Sequence, residues 1–131
     1  MKIGDFNLMN GPVLMIAELS ANHNGSIDTA IKTIQAAKRA GANAIKLQTY
    51  TSDTMTIDSS KEDFIIKVTI WEGENLYDLY KKAYTPWEWH NTLFKIAKEE
   101  GLICFSSPFD KTAVDFLETF DVPAYKLLLL K

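Results

Sequence analysis

Residues 13–25, Val13-Leu14-Met15-Ile16-Ala17-Glu18-Leu19-Ser20-Ala21-Asn22-His23-Asn24-Gly25, run from an apolar segment into a cluster of polar side chains. The apolar part has no polar alternation, which predicts a buried parallel strand over 13–19. Glu18, Asn22, His23 and Asn24 then fall just past its C-terminal end. In α/β folds that end carries the chemistry. Asn24-Gly25 also has the composition of an ordinary turn, and Asn24 or Ser26 suits a helix cap. Neither feature accounts for a glutamate closing a buried strand, a costly position unless the charge is paired or used.

The next segments repeat the pattern. Ile27, Ala30, Ile31, Ile34 and Ala37 recur at helical spacing, which predicts a helix over 26–40. Lys38 and Arg39 suit the negative end of its dipole, and Gly41 suits the residue after the cap. Ala44-Ile45-Lys46-Leu47-Gln48 reads as a second strand, with Lys46 and Gln48 on one face. Residues 49–74 read as a long loop in which Phe64–Trp71 is either a short strand or an irregular lid. A short helix follows over 75–83. Thr85-Pro86-Trp87-Glu88 predicts a capping box opening a helix to Glu100, with Trp89, Leu93, Ile96 and Ala97 inward and Gly101 ending it. His90 lies on that helix, away from other candidate ligands, and reads as a surface or interface residue. Leu102–Ser106 forms a third strand running into Ser107-Pro108-Phe109-Asp110. Asp110 caps a helix over 111–120 with Val114, Leu117 and Phe120 inward. A fourth strand starts at Ala124 and carries Tyr125, Lys126 and four leucines.

Composition narrows the function. Of 131 residues 47% are hydrophobic, enough for a core, and the net charge of -3 gives no footprint for nucleic acid or a membrane surface. No apolar run approaches the ~20 residues of a membrane span, and the N-terminus lacks a signal-peptide core. The single cysteine, Cys104, forms no internal disulfide and sits in an apolar strand, where it reads as an inert core residue. A cytoplasmic location follows by default. Residues 3–12 read as a hairpin or lead-in.

Alternating β and α segments require parallel strands. No G-x-G-x-x-G follows the first strand, so a dinucleotide-binding sheet lacks its fingerprint. Lysines at inward strand positions fit a (β/α)₈ barrel better. A whole barrel needs about 250 residues, and this chain supplies about four strands. The expectation is the N-terminal half of a TIM barrel spanning residues 1–131, part of a larger enzyme. A half-barrel that dimerises is the alternative, because apolar edges invite pairing.

Four segments carry a resemblance: Ala17–Gly25, Gly41–Tyr50, Phe105–Asp110 and Val122–Lys126. In this order they resemble the sialic acid synthase family, the phosphoenolpyruvate-dependent synthases of nonulosonic acids. Thr49–Thr56 and Tyr84–Trp89 are most similar to its pseudaminic acid branch. The resemblance implies a TIM barrel followed by a small antifreeze-like domain, both completed beyond this chain, in a homodimer. It implies condensation of phosphoenolpyruvate with an open-chain N-acetylated hexose, with loss of phosphate, assisted by a divalent metal, commonly manganese. Lys46, Lys126 and Ser107 would then hold the anion and Phe109 would exclude water. Glu18 would act as general base, or hold the sugar hydroxyl or the attacking water. Asn22 and Gln48 would bind the sugar, and His23 would either bind substrate or brace its loop.

Two departures stand out. The family continues Tyr-Lys of the fourth strand with Ile-Ala-Ser, where this chain has Leu127-Leu128-Leu129-Leu130. The family's metal-binding histidines lie in the second half of the barrel, and neither His23 nor His90 matches them, so no metal ligand is assigned here. The polypeptide alone is therefore expected to be inactive. Two other functions compete: an aldolase using Lys46 or Lys126 as a Schiff-base amine, and a non-catalytic half-barrel.

Overall fold

The structure, a computed structural model, describes residues 1–67 and 69–127. A two-stranded antiparallel hairpin comes first, β1 (Lys2–Ile3) and β2 (Phe6–Asn7). Its turn residue, Gly4, has φ +54°, and a side chain there would lie 3.7 Å from Ile103. The hairpin therefore sits at the N-terminal base of the main sheet.

That sheet has three parallel strands in the order β3 (Ile16–Glu18), β4 (Ala44–Thr49), β5 (Ile103–Pro108). Tyr125 adds a parallel bridge to Ser106, and Lys126 N–H donates to the Ser106 carbonyl at 3.1 Å. Three strands and one bridged position thus stand where about four strands were expected. Leu128–Leu130 lie outside the described residues. Helix α1 (Ile27–Arg39) crosses from β3 to β4. Between β4 and β5 come α2 (Ser52–Met55), α3 (Leu76–Ala83) and α4 (His90–Glu99), and α5 (Lys111–Glu118) follows β5.

The helices form where the apolar period placed them. Ser26 caps α1 through Thr29 N–H at 3.3 Å, and Gly41 takes φ +93° just beyond it. Ala30 and Ile34 are fully buried against Leu19, Ile45, Leu47, Leu93 and Ala97 in one core on the helix side of the sheet. Cys104 belongs to that core, and burial pushes its thiol up to about 12, which leaves it inert. Asp110 caps α5 as expected, accepting from Thr112 N–H at 2.9 Å and Ala113 N–H at 3.2 Å.

Four readings are corrected. The strand over 13–19 is only Ile16–Glu18 and is not buried: Val13 is 78% exposed and Ile16 43%. β3 pairs on one side only, so among the described residues nothing covers its far edge. The capping box at Thr85 does not form. Pro86 is extended at ψ 132°, the first turn is a tight one over Trp87–Trp89, and Thr85 is buried with its hydroxyl unpartnered. The loop over 49–74 contains α2, pinned to α3 by Tyr77 OH donating to Asp53 at 2.8 Å. Phe64–Trp71 forms no strand among the described residues, only an isolated bridge from Ile65 to Asn75. His90, read as a surface residue, is fully buried.

Candidate active site

The polar cluster after β3 is a tight loop. Leu19 N–H is the last to bond β4, at Lys46 O, 3.0 Å. The chain then turns through three left-handed residues, Ser20 (φ 48°), Asn24 (φ 47°) and Gly25 (φ 67°). Asparagine and glycine tolerate that region, which is the physical reason for Asn24-Gly25 here. His23 is 1% exposed and braces the loop: its Nδ1 accepts from Gly25 N–H at 3.1 Å, and its ring meets Trp89 edge-to-face at 5.4 Å. Asn22 is exposed, with its N–H on Leu19 O at 3.1 Å.

Strand register assembles the rest. Glu18 pairs with Lys46 and Lys46 with Phe105, while Gln48 pairs with Ser107. Parallel partners share a face, so Glu18, Lys46, Gln48, Phe105 and Ser107 all lie on the face opposite the helix-side core. The Tyr125–Ser106 bridge puts Lys126 in step with Ser107 on that same face. Lys46 Nζ forms a 2.7 Å ion pair with Glu18, the lysine side chain 7% exposed and the glutamate 57%. Ser107 is 1% exposed, and its hydroxyl has no hydrogen-bond partner. Lys126 is exposed. Phe109 packs edge-to-face on Tyr50 at 5.1 Å, and Tyr50 meets Tyr80 at 5.9 Å. Burial and Tyr80 push the Tyr50 phenol up to about 12, so it stays neutral.

Behind this face lies a network that the sequence did not announce. Thr49 Oγ1 lies 2.9 Å from His90 Nε2 and 2.7 Å from Ser106 Oγ, and His90 Nδ1 lies 3.3 Å from Pro86 O. A carbonyl only accepts, so Nδ1 carries the proton and Nε2 accepts. Thr49 then donates to His90 and Ser106 donates to Thr49. Phe94, Phe116 and Phe120 surround the imidazole. In His23 the tautomer is the reverse: Nδ1 accepts, so the buried Nε2 carries a proton with no partner. Two adjacent polar residues at the ends of β4 and β5, Gln48-Thr49 and Ser106-Ser107, were the available signal for Thr49 and Ser106, since neighbours in a strand point to opposite faces. It marked the helix side as well as the site side.

Both histidines are driven toward neutrality by burial, which lowers each pKa below 6.5. The Ala83 backbone opposes this in His23, without a hydrogen bond of ordinary geometry from Nε2. In His90 the backbone of Pro86 and Trp87 and the charge of Glu88 oppose it. The unfolded chain therefore takes up protons first as pH falls. Stability is full above about pH 6.5 and declines below it, by up to about 1.4 kcal/mol per pH unit for each histidine. Urea unfolding at pH 7.5, 6.5 and 5.5 should show a midpoint flat over the first interval and falling over the second. A midpoint rising toward pH 5.5 contradicts this assignment.

Among the described residues no three His, Cys, Asp or Glu side chains come close enough to hold a metal ion. His23 and His90 are occupied as above, and Glu18 is paired with Lys46. The divalent cation implied by the resemblance thus finds no ligand set among the described residues. Nor is any helix among them long and apolar enough to cross a membrane.

Comparison with known proteins follows the same residues. The sequence pattern of the NeuB family matches residues 33–128. Pseudaminic acid synthase of Campylobacter jejuni is 57% identical over 127 residues, covering 97% of this chain and 37% of that protein. Pseudaminic acid synthase of Helicobacter pylori is 48% identical over 116 residues, covering 88% of this chain and 34% of that protein. Among solved structures, the N-acetylneuraminic acid synthetase of Leptospira borgpetersenii, in complex with citrate, superposes with a TM-score of 0.72 at 26% identity. The match covers 93% of this chain and 40% of that one. The chain spans about a third of the length of the curated relatives it matches.

Proposed function

Since the chain belongs to the NeuB family, we propose that it contributes the anion- and sugar-binding wall of a nonulosonic acid synthase of the pseudaminic acid type. The carrying observation is the shared face of Glu18, Lys46, Gln48 and Ser107 at the C-terminal ends of parallel strands. Phosphoenolpyruvate presents a phosphate and a carboxylate. Lys46 and Lys126 supply cations for them, and the unpartnered Ser107 hydroxyl supplies a donor. Gln48 and Asn22 offer amides to the hydroxyls and acetamido groups of an open-chain hexose. Phe109 and Tyr50 wall the site from water.

In the condensation, C3 of the enol joins the aldehyde carbon, and the aldehyde oxygen takes a proton to become a hydroxyl. Water adds at C2, and the C–O bond breaks to release phosphate and leave a 2-keto acid. Glu18 accepts the proton of that water or holds it in line. The Schiff-base alternative needs a free amine: Lys46 Nζ is engaged by Glu18, which leaves Lys126 as the amine for that reading.

The short share of its relatives that the chain spans supports a second part of the proposal: alone, the polypeptide binds the anion without completing the reaction, and the cation that assists catalysis is held by residues outside it. Titration with phosphoenolpyruvate should shift amide resonances of residues 46–48 and 105–107. Coupled phosphate release with phosphoenolpyruvate, the acetamido-sugar and manganese should stay at background. An absence of binding overturns the site, robust turnover overturns the inactivity, and a borohydride-trapped pyruvyl adduct on Lys126 favours the aldolase.

A further inference from the structure

We propose that Glu18 is a displaceable counter-ion for Lys46, one that an arriving anionic substrate must expel from the ammonium. This rests on the anion-binding reading of the Lys46 face. The asymmetry of the pair is the evidence. Lys46 is held in the sheet with its side chain 7% exposed, whereas its partner at 2.7 Å is 57% exposed and sits on the edge strand β3. A buried ammonium needs a compensating charge. Among the described residues Glu18 is its one ion-pair partner.

An ammonium has three donors and can in principle hold two anions. Holding Glu18 and a phosphate together places like charges side by side. The exposed carboxylate regains its water on release, and the arriving phosphate supplies the compensating charge that the buried ammonium needs, so Lys46 is at no stage left unpaired. Exchange therefore wins over a three-charge cluster. It has two consequences. The empty site keeps Lys46 neutralised, which discourages capture of stray anions. Substrate binding frees the Glu18 carboxylate at the moment when a base or a water-holding group is needed, so occupation of the anion site arms the second group.

The test is titration of this chain with inorganic phosphate and with phosphoenolpyruvate at low salt, in three forms. Glu18→Gln removes the competitor and should tighten binding about tenfold, the worth of the charged hydrogen bond that the anion no longer has to break. Glu99→Gln removes the same charge at the opposite end of the sheet and should leave affinity unchanged. In the unsubstituted chain, the Glu18 carboxyl carbon resonance should move to its solvent-exposed position as phosphate saturates. That readout stands even where Glu18→Gln fails to fold. Weaker or equal binding by Glu18→Gln, or a Glu18 resonance that does not move on saturation, overturns the exchange while leaving the anion site intact. Equal tightening by Glu99→Gln reduces the effect to net charge and overturns it as well. Failure of every form to bind either anion overturns the proposal together with the reading beneath it.

Discussion

His90→Leu is expected to lower the stability of the chain by about 2–4 kcal/mol, read from the urea midpoint at pH 7.5. The replacement keeps an apolar side chain of useful size among Phe94, Phe116 and Phe120. The loss therefore comes from the hydrogen bonds. Pro86 O loses one donor and keeps Trp89 N–H, while Thr49 and Ser106, both fully buried, are left with two hydroxyl protons and one bond between them. Leaving a buried donor unpaired costs about 1–3 kcal/mol, more than the net gain of the bond itself. Thr49→Val together with Ser106→Ala in the His90→Leu background removes both hydroxyls, and the triple variant should recover part of the loss. Purely additive destabilisation would mean that the three side chains do not act as a unit.

His90 also shows where sequence reading stops. The periodic elements were legible: α1, α4 and α5 fall where the apolar spacing put them, because a helix face is a local property. Lys46 and Gln48 were legible as a pair because strand alternation sorts faces without any knowledge of partners, whereas Ser107 entered through the family resemblance. His90 was not, because its burial depends on Thr49, 41 residues away, and on aromatic rings of a later helix. Nothing within its own helix distinguishes it from an exposed histidine. The strand at 13–19 failed for a related reason. Its apolar composition fits a covered strand, but exposure is set by neighbours, and among the described residues β3 has one. The Thr85 box failed because Pro86 fixes the preceding chain in an extended path, which carries the threonine hydroxyl away from the first turn. Glu18 is the instructive half-success. The sequence left open whether its carboxylate is paired or used, and it is paired, while its burial was misread: the buried member of the pair is the lysine.

Ser107→Ala and Ser106→Ala, adjacent substitutions of the same chemistry, are expected to have opposite effects. Ser107 Oγ is buried without a partner, so removing it should stabilise the chain by about 1 kcal/mol. If that hydroxyl is kept for a ligand, the same change should weaken phosphoenolpyruvate binding about tenfold, the worth of one hydrogen bond to a charged group. Ser106 Oγ donates to Thr49 at 2.7 Å on the other face, so its loss should destabilise by about 1 kcal/mol and leave binding nearly unchanged. A stability gain coupled to an affinity loss marks a group held in readiness for something absent from the protein itself, since selection for the fold alone would have removed it. The contrast depends on register alone, because the two residues differ only in the face on which β5 presents them. Destabilisation by Ser107→Ala, or unchanged phosphoenolpyruvate affinity, would place the hydroxyl in the architecture of the sheet and remove it from the anion site. Thermal unfolding and ligand titration of the two variants, side by side with the parent chain, decide between these outcomes.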